Sequence, residues 1–255
     1  MTAPLTLSAD GPVATLTFNR PEKLNAMTPE MAGLLWDAVR EINASDTLRA
    51  VILTGTGKAF CAGSDIGELD RYETPWNFRN RPEYCDALRA LLKPSIAAVG
   101  GYAMGGGLEM ALSCDIRIAS EKAVFAAPEI KLGWIGGGGM TALLAHSIGP
   151  SNAALMVLTG DPVPAQTALG WGLVSEVVAP EALGLRAAEI AQTIAARAPI
   201  AAETARRNLS AAFNMPLEQA VAYERDLQAI CFATEDAAEG RAAFAAKRAP
   251  VFTRR

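Results

Sequence analysis

Hydrophobic positions along this chain fall into short β-type runs that alternate with longer stretches of helical spacing. Val13 to Phe18 alternates apolar with polar residues and predicts a strand, ended by Asn19-Arg20-Pro21. Thr28-Pro29-Glu30 predicts a helix start: Thr28 caps, Pro29 takes the first helical position and Glu30 complements the dipole. Met31, Leu34, Leu35, Ala38, Val39 and Ile42 then share one face at a 3.6-residue period. Ala50-Val51-Ile52-Leu53 and Ile96 to Val99 are compact apolar runs and predict buried strands; Ile116 to Ala119 predicts another. Tyr84 to Leu92 reads as a helix that stops before Pro94. Residues 70–82 are polar and aromatic without a period, which predicts an irregular, mobile loop. Strand–turn–helix units at 50–70 and again at 95–113 predict an α/β architecture with mostly parallel pairing.

Past Arg197 the chain is rich in Ala, Glu and Arg and reads as helix throughout. Leu217, Ala220, Val221, Leu227 and Ile230 line one side of a helix over 217–231. Asp236-Ala237-Ala238-Glu239 fits a capping box for a last helix through Lys247. The division is thus a core over 1–196 and a helical region over 197–255. Periodicity alone fits helices packed on a neighbouring subunit as well as helices that cover only their own core.

The stretch from Lys93 to Gly139 concentrates the candidate chemistry. Gly105, Gly106 and Gly107 follow a predicted strand and turn the chain into a helix that begins near Gly106. Without a Cβ, these residues let a ligand reach the backbone. The first N–H groups of a helix lack intrahelical partners and sit at the positive end of its dipole, so an anionic oxygen is favoured there. Glu109, three residues after Gly106, shares its face. Glu129 follows a return strand and Pro128. Alone, Glu109 fits a first-turn glutamate favoured by the dipole. Two carboxylates beside an oxyanion donor can form an enolate and move protons around it. The dinucleotide fingerprint G-x-G-x-x-G is not met, because Leu108 and Glu109 follow the three glycines.

Composition narrows the alternatives. The chain has 255 residues, 51% apolar and 20% charged, enough for a large core. Its net charge of −4 and the lack of a basic stripe argue against nucleic-acid binding. No run of about 18 apolar residues predicts a membrane span, and the first residues lack a secretory pattern. Cys61, Cys85, Cys114 and Cys231 have no C-x-x-C spacing, which argues against a metal site and fits free thiols in a reducing cytoplasm. His146, the only histidine, has no nucleophile elbow with it and reads as structural, so acid–base work falls to carboxylates.

Several segments, in order and nearly end to end, resemble the crotonase (enoyl-CoA hydratase/isomerase) superfamily. They are Arg20-Pro21-Glu22-Lys23-Leu24-Asn25-Ala26, Ala59-Phe60-Cys61-Ala62-Gly63-Ser64-Asp65-Ile66, Gly101 to Glu109, Ala127-Pro128-Glu129-Ile130, Leu158-Thr159-Gly160-Asp161 and Ala168 to Val174. The tail from Thr234 to Arg248 matches as well. The resemblance implies a spiral of ββα units, a C-terminal helical trimerisation region, trimers or dimers of trimers, and a coenzyme A thioester substrate. It implies no separate cofactor, coenzyme A being part of the substrate.

By position, Ser64 and Gly106 match the residues whose backbone N–H groups form the family's oxyanion hole, and Glu109 and Glu129 match the two acid–base glutamates of its hydratases. Lys23, Leu24, Ala62, Asp65 and Ile66 fall where the family holds the coenzyme, and Gly137 near the hydratase water. Ser64 stands where alanine is usual; acting through its backbone, it leaves the hole intact. Ile135-Gly136-Gly137 replaces a common Ile-Pro-Gly, and Trp134 is larger than the residue often found there. Trp134 fits either a wall of the acyl pocket or a residue packed into the core. Hydration of 2-enoyl-CoA is the leading expectation. The alternatives are an enoyl-CoA isomerase, a carnitinyl-CoA-type dehydratase, an acyl-CoA hydrolase, or a non-catalytic or RNA-binding scaffold of the same fold.

Overall fold

The computed structural model describes residues 3–255. Strands β1 (Leu5–Asp10) and β2 (Val13–Phe18) form an antiparallel hairpin. Helix α1 (Pro29–Ala44) then carries the chain to β3 (Ala50–Gly55), which pairs parallel to β2. Thr28 caps α1 as expected, its hydroxyl accepting from Met31 N at 3.2 Å. Of the expected apolar face, Met31, Leu35, Ala38, Val39 and Ile42 are buried, while Leu34 is only partly covered.

Three ββα turns follow. β3 leads to β4 (Ala59–Cys61) and three short helices, α2 (Ile66–Leu69), α3 (Pro75–Arg79) and α4 (Tyr84–Arg89). β5 (Ser95–Val99) leads to β6 (Tyr102–Met104) and α5 (Gly106–Ser113). β7 (Ile116–Ser120) leads to β8 (Val124–Ala126), a 3-10 turn over Pro128–Leu132, and α6 (Met140–Thr159). The chain continues through β9 (Val163–Pro164), α7 (Ala165–Trp171), β10 (Glu176–Val178) and α8 (Leu183–Ala195). It ends in α9 (Pro199–Ala212), α10 (Leu217–Phe232) and α11 (Glu235–Ala245).

The first strand of each turn enters a six-stranded sheet of order β1-β2-β3-β5-β7-β10, and the second enters a four-stranded sheet of order β4-β6-β8-β9. Each turn therefore advances one place in both sheets, which is the expected spiral. The larger sheet is covered on both faces. Val13, Ala50, Ile52, Ile96, Ala98 and Ile118 meet Leu183, Ala187 and Ala191 of α8. The alternate residues, among them Leu16, Phe18, Val51, Leu53, Ala97 and Val99, enter the main core. Burial on both faces is why these strands read as unbroken apolar runs.

Two expectations need correction, and two helices need comment. Residues 70–82 are not wholly irregular: Thr74 caps the five-residue α3 by accepting from Asn77 N at 3.1 Å. The last helix is capped by Thr234, which accepts from Ala237 N at 3.0 Å, not by Asp236. Asp236 is buried and accepts from Thr253 N (2.7 Å) and Arg254 N (2.9 Å), so it ties down the chain end instead. Helix α6 is long and apolar enough to cross a membrane by length and composition. However, Gly149 (φ 76°, ψ 161°) breaks it before Pro150, and Met140, Leu144, Ile148, Ala153 and Met156 are buried in the protein. Lastly, α10 buries only Leu227 of its apolar face; Leu217, Val221 and Ile230 are exposed, so that face does not serve the chain's own core.

Helix α9 is fastened to the spiral by charge. Lys93 is 0% exposed and its Nζ lies 2.7 Å from Glu203 Oε1. Glu203 Oε2 meets Arg254 at 3.1 Å, and Arg206 meets Asp115 at 2.9 Å.

Candidate active site

Two loops converge on an unpaired pair of backbone donors. The loop after β4 is stapled to residues 24–27: Ala62 N donates to Leu24 O (3.0 Å), Met27 N to Gly63 O (2.8 Å) and Asp65 N to Met27 O (2.8 Å). Buried Asn25 secures the other side, its Nδ2 donating to Ala59 O at 2.7 Å and to Thr56 O at 2.9 Å. This leaves Ser64 N–H with no acceptor among the described residues. The second donor comes from β6, which turns at Gly105 (φ 54°, ψ −128°) into α5. Gly106 N–H opens that helix and is likewise unpaired. The two loops touch: a Cβ at Gly63 would lie 3.0 Å from Gly106 N, and one at Gly107 would lie 1.9 Å from Cys61 O. Glycine is required here because backbone packs directly on backbone.

Glu109, on the first turn of α5, is 3% exposed. Its Oε1 accepts from Gly138 N (2.7 Å) and Met140 N (3.1 Å). The glycine run is the seat for this carboxylate. A Cβ at Gly136 would lie 2.7 Å from Glu109 Oε1, and one at Gly138 would lie 2.8 Å from Oε2; Gly139 has φ 116°. Glu129, in the 3-10 turn, is 9% exposed and its Oε1 lies 3.0 Å from where a Gly105 Cβ would be. Its Oε2 is buried without a partner. Burial raises the pKa of both carboxyls. At Glu109 the two N–H donors oppose that rise, while the charge of Glu129 adds to it.

Both glutamates, Ser64 and Gly106 line one cavity of about 460 Å³, together with Gly137 and Trp134. Its apolar wall comes from Ile66, Leu69, Phe78, Leu132, Trp134 and Ile135, so Trp134 is a wall residue and not part of the core. Ala62 and Ile66 also line it. Lys23 and Leu24 lie outside, joined to it through the Ala62–Leu24 hydrogen bond. Asp65 is engaged within the protein: it pairs with Arg20 at 3.2 Å and caps α2 through Gly67 N at 3.3 Å. His146 packs against Phe213 with ring centroids 5.0 Å apart and does not reach the cavity. Burial pushes the Cys61 and Cys114 thiols up to about 12 and raises Cys85 well above its ordinary value, so none of the three is a ready thiolate.

Sequence reasoning missed four contributors. The N–H groups of Gly138 and Met140 carry no side-chain signal, although the glycine run itself was visible. Tyr84, whose hydroxyl meets Ser64 Oγ at 3.0 Å, read only as the first residue of a helix. Arg81 lines the cavity, bonded to Glu83 (2.6 Å) and the Phe78 carbonyl (2.7 Å).

Residues 8–255 match the enoyl-CoA hydratase/isomerase family. A probable mitochondrial enoyl-CoA hydratase of Dictyostelium discoideum is 40% identical over 249 residues, covering 97% of this chain and 90% of that protein. A short-chain-enoyl-CoA hydratase of Clostridium acetobutylicum is 38% identical over 247 residues, covering 95% and 94%. A solved enoyl-CoA hydratase from Bacillus anthracis superposes with a TM-score of 0.95 at 33% identity, over 99% of this chain and 100% of that one. Likeness of this extent in both sequence and backbone, over a cavity where two carboxylates face two unpaired N–H groups, places the chain in the enoyl-CoA hydratase/isomerase family.

Proposed function

We propose that this protein is an enoyl-CoA hydratase that adds water across the double bond of 2-enoyl-CoA thioesters. The observation that carries this is the meeting of Glu109, Glu129 and the unpaired N–H groups of Ser64 and Gly106 at one cavity. The relatives named hydratases support it. An isomerase of this family usually retains only one of the two carboxylates, so the pair favours hydration.

The thioester oxygen accepts from Ser64 N and Gly106 N, which stabilise the negative charge that builds there as water attacks the β carbon. The glutamates differ in environment, and that divides their roles. Two N–H donors favour the charged form of Glu109, which takes the proton from water. Glu129 Oε2 has no donor, which favours the neutral acid; it delivers a proton to the α carbon as the enolate collapses. Every bond made or broken uses water, substrate and these two groups, so the reaction needs no separate cofactor. Lys23, Leu24, Ala62, Asp65 and Ile66 carry the coenzyme arm, and Gly137 borders the attacking water. The acyl group is short or compact, in keeping with Trp134 on the wall and with the short-chain relative.

Crotonyl-CoA supplies the test, through loss of the absorbance of its conjugated double bond. Wild type should turn over, and Glu109→Gln and Glu129→Gln should each lose about 10²–10⁴-fold while still binding CoA. Near-normal turnover in either variant removes the two-glutamate mechanism.

A further inference from the structure

The hydroxyls of Ser64 and Tyr84 meet at 3.0 Å, and neither has another protein partner among the described residues. A single bond between two hydroxyls uses one proton and leaves the other O–H without an acceptor. Tyr84 is only 6% exposed, so bulk water does not readily satisfy that donor. Its position matters more. Tyr84 Oη is 1.8 Å from where a Cβ of Gly106 would be, so it touches the residue that supplies one oxyanion N–H. Ser64 supplies the other. Both side chains border the cavity that holds Glu109 and Glu129.

We propose that Tyr84 is a catalytic residue, a third hydrogen-bond donor to the thioester oxygen, and that the Ser64 hydroxyl is a positioning residue that aims it. This rests on the hydratase function proposed above. Ser64 Oγ–H donates to Tyr84 Oη, and Tyr84 O–H then points into the hole. The order follows from donor strength: a phenol is more acidic than an alkyl hydroxyl, and accepting one hydrogen bond polarises it further. The proton stays on Tyr84 throughout, since only hydrogen bonds change. Burial, the largest effect on this phenol, raises its pKa and keeps it protonated as the oxyanion forms. Gly106 is required by the same contact, because any side chain there would occupy the place of the Tyr84 hydroxyl.

The test uses the full-length protein with Tyr84→Phe, Ser64→Ala and the double variant. Turnover of crotonyl-CoA is read beside the spectrum of bound 4-(dimethylamino)cinnamoyl-CoA, a push–pull thioester whose band moves to longer wavelength as its carbonyl is polarised. Tyr84→Phe should lower kcat by about 10- to 100-fold with KM little changed. It should also return the bound band part of the way towards that of the free thioester. Ser64→Ala should lose less, and adding it to Tyr84→Phe should cost nothing further, because the serine acts through the phenol. Wild-type kcat in Tyr84→Phe, or a lower kcat with an unchanged bound spectrum, overturns the proposal. Should Tyr84→Phe fold poorly, a Ser64→Ala enzyme with wild-type kcat and spectrum overturns it equally. A wild type that fails to hydrate crotonyl-CoA yet shifts the band on binding points instead at the hydratase function.

Discussion

Glu109 Oε1 accepts the N–H of Gly138 at 2.7 Å, across 29 residues of chain. The backbone of a glycine run, not a side chain, thus orients one of the two carboxylates. Arg89 in turn donates to the Gly138 carbonyl, which holds that peptide from its other side.

Gly138→Ala should therefore reduce activity by displacing Glu109, with both glutamates still present in the sequence. Its Cβ would lie 2.7 Å from Cys85 Sγ and 2.8 Å from Glu109 Oε2, so the carboxylate must move. A displacement of about 1 Å costs on the order of a hundredfold in kcat. Gly137→Ala is the control for folding, since its Cβ would meet nothing nearer than Arg81 Nη2 at 4.0 Å. It should melt at the wild-type temperature. Full activity in Gly138→Ala would show that the seat is looser than the contacts indicate.

Stability should rise, not fall, in Glu129→Gln. Burial holds the Glu129 pKa above its ordinary value of 4.5, so the folded state disfavours the charged form. The native contribution of the neutral acid is complete below 4.5 and is lost as pH rises through the folded-state pKa. The glutamine has no such loss. Its melting temperature should exceed that of wild type by a few degrees at neutral pH, with the gap closing as pH falls towards 4.5. A gap that is independent of pH, or of opposite sign, would falsify the account of an unpartnered buried carboxyl.

The scaffold of this site was legible because burial writes itself into sequence. Strands covered on both faces are apolar throughout, as at Ala50–Leu53 and Ile96–Val99, and the Thr28-Pro29-Glu30 start placed α1 correctly. The glycines at 105–107 announced a tight turn into a helix. What could not be read depends on partners distant in the chain. Glu109 is seated by main-chain N–H groups at 138 and 140, which no residue type advertises. Tyr84 stands on a mostly buried helical turn, where an aromatic residue reads as core, and only the fold sets its hydroxyl against Gly106. Asp236 fitted a capping box locally, but Thr253 N and Arg254 N compete for it, so Thr234 takes the cap.

The exposed apolar residues of the tail predict assembly. Leu217, Val221 and Ile230 of α10 lie in the open with Phe213 and Phe232 nearby in sequence, and α9 is fastened to the spiral beneath. Leu217 and Val221 stand one helical turn apart, and monomers rarely leave an extended apolar surface in water. Light scattering should find a trimer or hexamer at micromolar concentration, and Ile230→Asp should shift it towards monomer by burying a charge in the contact. A stable wild-type monomer counts decisively against an oligomerisation role for residues 197–255.

Trp134 should set the length of acyl group accepted. It is 42% exposed, lines the cavity beside Ile135, and is held in place by its own N–H, which donates to the Glu129 carbonyl at 3.2 Å. The Trp134 backbone is thus tied to the residue assigned to deliver the α proton, which keeps this wall residue close to Glu129 along the chain. A pocket wall discriminates by about 1–3 kcal/mol per methylene accepted or refused, or about 10–200-fold in kcat/KM. Wild type should prefer crotonyl-CoA to a long-chain 2-enoyl-CoA, and Trp134→Ala should shift that ratio towards the long chain by at least tenfold. Because the hydrogen bond to Glu129 comes from the backbone, the substitution should leave Glu129 in place and crotonyl-CoA turnover within about tenfold of wild type. A ratio that does not move assigns the limit on acyl length to other residues of the wall, Ile135 or Phe78, and a wild type that already prefers the long chain removes the short-acyl proposal itself.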